Sequence, residues 1–212
     1  SGGPNFPDSE EERCIFLKKY SSIDFYIVGE GEEGFVSLFR KLKAFEMNSA
    51  QLKKQRKKIQ NCAYLLDEEL IIGETKRIDD LNRVPCPYQM GMLDPFFSMP
   101  LVPIVETARG CPFQCTFCAD GKIAANRVFR YHEKRVTKTL EHIASRVNGC
   151  DELIIADLNF GMYDQDISTA NTIARLQNEK GYPLALKASA GKNKPDKIIN
   201  ITKILKGSGF LG

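Results

Sequence analysis

Three cysteines stand within eight residues near the middle of the chain: Cys111, Cys115 and Cys118, in the spacing CxxxCxxC. Thiolates this close together on one loop can each bind one corner of a cubic iron–sulfur cluster, because such clusters are held by cysteine sulfurs. The fourth iron would then lack a protein ligand. An open metal position can bind a substrate or cofactor, as it does in catalytic zinc sites. The spacing therefore predicts a metal cluster with one free coordination position.

Zinc binding and disulfide bonding are the other chemistries open to these cysteines. Cys115 and Cys118 form a CxxC pair, but tetrahedral zinc takes four ligands, usually from two spaced pairs, and the chain has no second CxxC. A disulfide framework usually has an even number of cysteines, whereas this chain has seven and shows no signal-peptide pattern. The spacing therefore favours the cluster, in a protein of a reducing compartment.

The motif also contains an aromatic residue, Phe117, directly before its last cysteine. With it, Cys111, Cys115 and Cys118 resemble the CxxxCx(aromatic)C signature of the radical S-adenosylmethionine (radical SAM) superfamily. The resemblance implies a 4Fe-4S cluster on the three cysteines, S-adenosylmethionine on the open iron and Phe117 against its adenine. In that family one electron from the cluster breaks the sulfonium bond and releases a 5′-deoxyadenosyl radical, so the cofactors supply the chemistry and the protein supplies the positioning. The electron would come from a reductant such as flavodoxin or ferredoxin.

Composition and charge exclude several classes of protein. With 42% hydrophobic and 27% charged residues, the 212-residue chain is typical of a soluble globular protein. No apolar run approaches the roughly 18 to 20 residues of a membrane span. The net charge of +3 is too close to balance for a nucleic-acid surface, and the basic run 53–58 has no interleaved aromatic residues for base stacking. We therefore predict a cytoplasmic protein with neither a membrane nor a nucleic-acid partner.

The first 47 residues predict a turn, a helix capped by Asp8 or Ser9, a strand over 24–28 and a second helix. Between the strand and the second helix, residues 29–34 read GEGEEG and match the dinucleotide pattern GxGxxG. In such a site the glycines approach a pyrophosphate at a helix N-terminus. The three glutamates would repel that anion, so the sequence argues against bound NAD or FAD.

Two glycine-rich turns, at residues 1–4 and 28–32, instead resemble the last third of the cobalamin-binding Rossmann-like domain that precedes many radical SAM cores. In that family both turns lie at the carboxyl ends of strands, where open α/β sheets bind ligands. The resemblance implies that five residues approach the nucleotide tail of cobalamin: Gly2, Gly3, Gly29, Glu30 and Gly31. Ordinary tight turns that close βα units remain the alternative.

Residues 48–100 are predicted to be a connector. Two runs rich in β-formers, 63–66 and 70–73, flank an acidic turn and predict a hairpin. Prolines at positions 85 and 87 then break regular structure. The apolar residues between Met90 and Met99 are expected to pack against the core that follows, with a substrate pocket as the alternative.

From Leu101 onward the pattern alternates between strand and helix. The predicted strands are 101–107, 152–156 and 184–188, with a fourth from Ser208, and the predicted helices are 133–147, from Asp164 or Asp166 to Gly181, and from Pro195. Active sites of βα barrels lie at the carboxyl ends of the strands. Asp157, Asn159 and Ser189 stand at such ends and are the candidate contacts of S-adenosylmethionine, with turn formation and capping as the alternative.

The predicted fold class is α/β. Residues 101–212 would form the first half of a partial (βα) radical SAM barrel. The C-terminal part of a Rossmann-like cobalamin-binding domain, in 1–47, and the connector, in 48–100, would precede it. The chain begins without Met and ends in a strand-like segment, so we expect a fragment of a longer protein.

The predicted function is that of a cobalamin-type radical SAM enzyme, which uses methylcobalamin to methylate an unactivated carbon of a small molecule or peptide. A radical SAM enzyme of another type, catalysing a cyclisation or rearrangement, is one alternative. A non-enzymatic iron–sulfur or zinc module is the other, because function depends on the site and not on the fold.

Overall fold

A computed structural model of the chain describes residues 1–3, 5–118, 126–191 and 193–206. It divides into two units, Ser1–Asp79 and Asp80–Gly212. None of the helices in the described ranges is both long enough and apolar enough to cross a membrane. Each unit has a β-sheet and buried side chains of its own.

The first unit is built on a three-stranded antiparallel sheet. Its strands are β1 (Tyr26–Ile27), β2 (Cys62–Leu66) and β3 (Glu69–Ile72), in the order β1-β2-β3. The β2–β3 hairpin stands where the sequence predicts one, whereas β1 is shorter than the predicted strand 24–28. Because β2 also pairs with β1, the hairpin belongs to the first unit. The predicted ranges 1–47 and 48–100 stay a prediction.

Helices cover both faces of this sheet. They are α1 (Glu10–Lys19), α2 (Gly31–Lys43) and α3 (Ser49–Lys54). As predicted, α1 begins after Ser9, whose hydroxyl oxygen accepts a hydrogen bond from the backbone N–H of Glu12 at 3.2 Å. On one face Leu17 of α1 packs with Tyr26. The cluster on the other face consists of Phe25, Ile27, Leu38, Leu52, Ile59, Cys62, Tyr64 and Ile71.

Gly34 allows α2 to lie close to the sheet. A Cβ atom at this position would stand 2.9 Å from both the Cβ of Asn61 and the Cγ2 of Ile27, which is closer than Cβ atoms pack in proteins. Any larger residue would therefore push the helix away from β1. The last glycine of the GEGEEG segment thus serves close packing between helix and strand.

The second unit contains a parallel sheet, as predicted. Its strands are β4 (Ile104–Val105), β5 (Ala108–Arg109), β6 (Phe129–Arg130), β7 (Glu152–Phe160) and β8 (Ala185–Ala190), and its helices are α4 (Glu133–Ala144), α5 (Asp164–Lys180) and α6 (Pro195–Ile204). The parallel sheet has the order β4-β7-β8, with α4 and α5 in the connections between its strands. The buried interior includes Val136, Leu140, Ile143, Leu153, Ile155, Ile173, Leu176 and Leu186.

The ends of the strands differ from the prediction. β4 has two residues instead of the predicted 101–107, whereas β7 continues past Ala156 to Phe160. After a register shift, Phe160 pairs with Ala190, and this pairing extends both β7 and β8. The predicted site residues of these strands therefore lie within the last part of each strand and not in the loop after it. The predicted fourth strand lies outside the described residues.

The apolar segment before β4 packs only in part. Phe97, in the short 3-10 helix Asp94–Ser98, is buried and its ring lies near those of Tyr88 and His142. Met90 and Met92 are each 62% exposed, and Phe96 and Met99 are 46% and 47% exposed. The prediction that the whole segment packs against the core is therefore wrong for these four residues, because the short 3-10 helix buries Phe97 and leaves its other aromatic face open, while Met90 and Met92 lie in a separate turn that precedes it.

Candidate cluster and cofactor site

The segment with the three cysteines is a loop whose two ends are joined. β5 and β6 form a two-stranded antiparallel sheet in which Ala108 pairs with Arg130. Because β5 follows β4 almost directly, the loop leaves the carboxyl end of the parallel sheet. The pairing closes a loop over residues 110–128, of which 119–125 lie outside the described residues. The cysteines therefore stand at the edge where open α/β sheets bind ligands.

Asp157 of β7 holds the start of this loop. Its Oδ1 accepts hydrogen bonds from the backbone N–H groups of Thr107 at 2.7 Å and Ala108 at 3.1 Å, and its Oδ2 accepts one from the Thr107 hydroxyl. The residue is only 4% exposed. All three hydrogen bonds reach the residues that lead into the loop, so Asp157 positions the start of the cysteine segment. Its contact with S-adenosylmethionine stays a prediction.

Residues of α5 hold the end of the loop. The Arg130 Nη2 donates to Asp166 Oδ1 at 2.6 Å, and its Nε donates to Gln165 Oε1 at 2.8 Å. The buried Asp166 carboxylate also accepts the backbone N–H groups of Gly161 and Tyr163, each at 2.9 Å, and so caps the helix from inside its first turn. Sequence reasoning identified this aspartate as a possible cap but not as the partner of Arg130. No local sequence pattern signals that second contact.

The three thiols differ in exposure. All seven cysteines lie in the described ranges and are free thiols; Cys111 is half-buried, while Cys115 and Cys118 are exposed. The backbone N–H of Cys118 donates to the Cys115 carbonyl at 3.1 Å, which makes a tight turn. In the described part of the chain no group of three or more His, Cys, Asp or Glu side chains is gathered as a metal site, so the three thiols do not converge on one point. The donor set fits a cubic cluster, because three unpaired thiols share one short loop.

Asn159 of β7 reaches the first cysteine. Its Nδ2 donates a hydrogen bond to the Cys111 Sγ at 3.1 Å. Asp157, two residues earlier, holds the start of the same loop, so the last part of β7 contacts the cysteine segment twice. The structure therefore brings these two predicted site residues together with the first cysteine.

The remaining candidate contacts of S-adenosylmethionine lie at the surface of this region. Ser189 is exposed near the end of β8, and it directly precedes the residue that pairs with Phe160. Phe117 is 88% exposed on the cysteine loop. Contact of Ser189, Phe117 and Asn159 with S-adenosylmethionine stays a prediction.

The glycines predicted to approach cobalamin lie in the first unit. Gly2 forms a parallel bridge with Ile27 of β1. Gly3 comes directly after Gly2 and Gly29 comes shortly after β1, so both lie at the same end of these two paired segments. Gly31 is the first residue of α2. Both turns thus lie at a carboxyl edge of the kind that binds ligands in α/β sheets. Their contact with cobalamin stays a prediction.

The Glu30 carboxylate is bound within the protein. Its Oε2 accepts the backbone N–H of Ile78, and its Oε1 accepts two N–H groups of Arg77, from Nε at 3.3 Å and from Nη2 at 3.2 Å. The Asn61 side chain completes this arrangement, because it accepts the N–H of Lys76 at 2.8 Å and donates to its carbonyl at 2.7 Å. These contacts fix the segment after β3 against the glycine turn. The predicted contact of Glu30 with cobalamin stays a prediction.

Two curated proteins match nearly the whole chain, each over 210 residues and 96% of its length. The chain is 27% identical to the cobalamin-dependent radical SAM methyltransferase TokK of Streptomyces tokunonensis, and 24% identical to 2-(S-pantetheinyl)-carbapenam-3-carboxylate methyltransferase of Streptantibioticus cattleyicolor. The chain is related to cobalamin-dependent radical SAM enzymes. It spans 29% of the length of each of these two relatives. No protein-family model matches it.

A third relative of the chain is the anaerobic magnesium-protoporphyrin IX monomethyl ester cyclase of Cereibacter sphaeroides. It is 29% identical over 147 residues, which cover 66% of the chain and 22% of the cyclase.

Two solved structures share the fold. OxsB, with aqua-cobalamin and S-adenosylmethionine bound, matches 96% of the chain with a TM-score of 0.59 and 19% identity, over 28% of its own length. TsrM of Kitasatospora setae, with cobalamin and a [4Fe-4S] cluster bound, matches 99% with a TM-score of 0.57 and 13% identity, over 40% of its own length. The α/β fold of this radical SAM relative is therefore found in cobalamin-dependent enzymes.

In this relative of radical SAM enzymes, the carboxyl group that holds the cysteine loop is sensitive to pH. Burial raises the pKa of Asp157 from its ordinary 3.8 to about 6, although the hydrogen bonds from Thr107 and Ala108 act in the opposite direction. Well below pH 4 the group is protonated in both the folded and the unfolded chain. Well above pH 6 it is ionised in both, and the folded state then includes the cost of a buried charge.

We therefore expect the free energy of unfolding of the wild type to fall, relative to that of the variant Asp157→Asn, by about 2 kcal/mol between pH 4 and pH 7. The asparagine does not titrate, yet its amide oxygen can still accept the two backbone N–H groups and its amide nitrogen can face the Thr107 hydroxyl. Urea unfolding of both proteins at several pH values measures the difference. A difference that stays constant with pH would contradict the raised pKa.

Proposed function

We propose that the chain is part of a cobalamin-dependent radical SAM methyltransferase that transfers a methyl group to an unactivated carbon. One observation carries the proposal. The CxxxCxFC segment is closed into a loop by the β5–β6 pairing at the carboxyl end of a parallel sheet. That loop belongs to a chain that matches TokK over 96% of its length.

We propose the following roles for the side chains. Cys111, Cys115 and Cys118 would hold a 4Fe-4S cluster, and Phe117 and Ser189 would flank S-adenosylmethionine. When bound, the cluster supplies the electron that cleaves the sulfonium bond of S-adenosylmethionine and releases a 5′-deoxyadenosyl radical. A reductant such as flavodoxin or ferredoxin delivers that electron, which agrees with a place in the cytoplasm.

We also propose which part of the enzyme's fold each unit forms. We propose that β4, β7 and β8, each followed in the chain by a helix, are the first strands of a partial (βα) barrel. The first unit would be the C-terminal part of a cobalamin-binding domain. In support of this, Gly2, Gly3, Gly29, Glu30 and Gly31 lie in two turns at one edge of adjacent parallel segments.

A second candidate is a radical SAM reaction other than methyl transfer. The 29% identity to the magnesium-protoporphyrin IX monomethyl ester cyclase favours a cyclisation. The same cluster loop and the same cleavage of S-adenosylmethionine would serve either reaction, so the fate of the methyl group distinguishes the two candidates.

The test is anaerobic reconstitution of the full-length protein that contains this chain, with iron, sulfide, cobalamin, a reductant and methyl-labelled S-adenosylmethionine. We expect a 4Fe-4S signal, release of 5′-deoxyadenosine and transfer of the label to cobalamin. Release of 5′-deoxyadenosine without label on cobalamin would favour the second candidate. Tetrahedral zinc without iron uptake would contradict both and favour a non-enzymatic module.

A further inference from the structure

The amide of Asn159 is held in place beside Cys111. The next residue, Phe160, is fully buried and pairs with Ala190, and its carbonyl accepts the backbone N–H of Gly191 at 2.9 Å. A Cβ at Gly191 would stand 3.3 Å from the Asn159 carbonyl, so the backbones of the two strands meet closely there. The backbone of Asn159, whose Nδ2 donates the 3.1 Å hydrogen bond to the Cys111 Sγ, is thus held in place by the sheet.

This hydrogen bond distinguishes Cys111 from the other two cysteines. Cys115 and Cys118 are exposed, so water can donate to their sulfurs, whereas Cys111 is half-buried and receives a protein N–H. A donor beside a cluster thiolate stabilises negative charge on the sulfur. A reduced cluster is more negative than an oxidised one, so such a donor favours the reduced state and raises the reduction potential.

We propose that Asn159 is a positioning residue that raises the reduction potential of the cluster through its hydrogen bond to the Cys111 sulfur. The inference rests on the proposed function, because it requires a cluster on the three cysteines. It assigns Asn159 a role toward the cluster itself, in addition to the predicted contact with S-adenosylmethionine. The electron still comes from the external reductant, and Asn159 alters only the potential at which the cluster accepts it.

The test compares full-length wild type with the variants Asn159→Leu and Asn159→Asp, each reconstituted anaerobically and titrated without S-adenosylmethionine. Leucine removes the donor without adding a charge, whereas aspartate keeps the size of the side chain, removes the donor and adds a negative charge that itself lowers the potential. The midpoint potential is followed by electron paramagnetic resonance, and iron per chain is counted. At the midpoint of the wild type, we expect the ratio of reduced to oxidised cluster to fall about tenfold in Asn159→Leu, which is about 59 mV for a one-electron couple, and further in Asn159→Asp.

Asn178→Leu is the matched control, because Asn178 is exposed near the end of α5 and this variant should keep the potential of the wild type. An unchanged potential in both Asn159 variants at full iron content would overturn the inference and leave the proposed function standing. Loss of iron from both variants would also overturn it, since Asn159 would then serve assembly. If the wild type itself bound no cluster, the proposed function would fail first.

Discussion

In the full-length protein, we expect the substitution Cys115→Ala to lower the rate of 5′-deoxyadenosine formation at least about 1,000-fold, which is about 4 kcal/mol in activation free energy. The substitution leaves only Cys111 and Cys118 to hold the cluster, so one further iron loses its protein ligand. Cys115 is exposed, so the loss of its thiol removes no buried packing and the fold should persist. Iron content, the cluster signal and the rate of 5′-deoxyadenosine release are the three measurements.

Cys150→Ala provides the control in the same unit. Cys150 is half-buried just before β7, and its thiol makes one weak hydrogen bond, to the Glu152 carbonyl at 3.6 Å. The Cys150→Ala protein should take up the full amount of iron and cleave S-adenosylmethionine at the rate of the wild type. Full iron and sulfide in the Cys115→Ala protein would show that the CxxxCxxC segment is not the cluster site.

Features fixed by neighbouring residues were predictable from the sequence. The spacing of Cys111, Cys115 and Cys118 is local, and with Phe117 it is the basis of the predicted cluster chemistry. The Ser9 cap of α1 and the end of α5 at Gly181 also depend on residues within one turn of the helix, and the structure confirms both. The parallel sheet could be predicted because its apolar runs are separated by helical patterns.

Contacts that hold the site together were not predictable, because they join residues far apart in the chain. Asp157 bonds to Thr107 across 50 residues, and Arg130 bonds to Asp166 across 36. β5 and β6 have two residues each, too few to show an alternating pattern. The parallel pairing of β7 with β4 brings Asp157 to the start of the cysteine loop, and only the folded sheet sets that pairing.

Two residues of the GEGEEG segment have contacts within the protein. Its three glutamates would repel a pyrophosphate, so the sequence argues against a bound dinucleotide. The Glu30 carboxylate accepts hydrogen bonds from Arg77 and from the backbone N–H of Ile78, and Gly34 allows α2 to lie close to β1. Glu30 therefore serves an ion pair and a hydrogen bond, and Gly34 serves close packing, although both residues belong to one sequence motif.

Gly73→Ala should unfold the first unit, with a loss of at least about 4 kcal/mol in its free energy of unfolding. Gly73 is buried directly after β3, and a Cβ there would lie 1.8 Å from the Ile59 carbonyl oxygen and 2.4 Å from its carbonyl carbon. Both atoms belong to the backbone, so no side-chain rotation relieves the clash. Moving that backbone would also strain the hydrogen bond from the Gly73 N–H to the Cys62 carbonyl at 3.0 Å. Hydrogen exchange at the β2 amides measures the loss.

Gly31→Ala is the matched control for this steric argument. It adds the same methyl group in the same unit, but at an exposed position with no heavy atom within 4 Å of the added Cβ. Gly31 is the first residue of α2, where alanine suits a helix at least as well as glycine. We expect its free energy of unfolding to stay within about 0.5 kcal/mol of the wild type. Equal stability of the two variants would mean that β3 can move away from Ile59, and the close approach of these backbones would then not limit the fold.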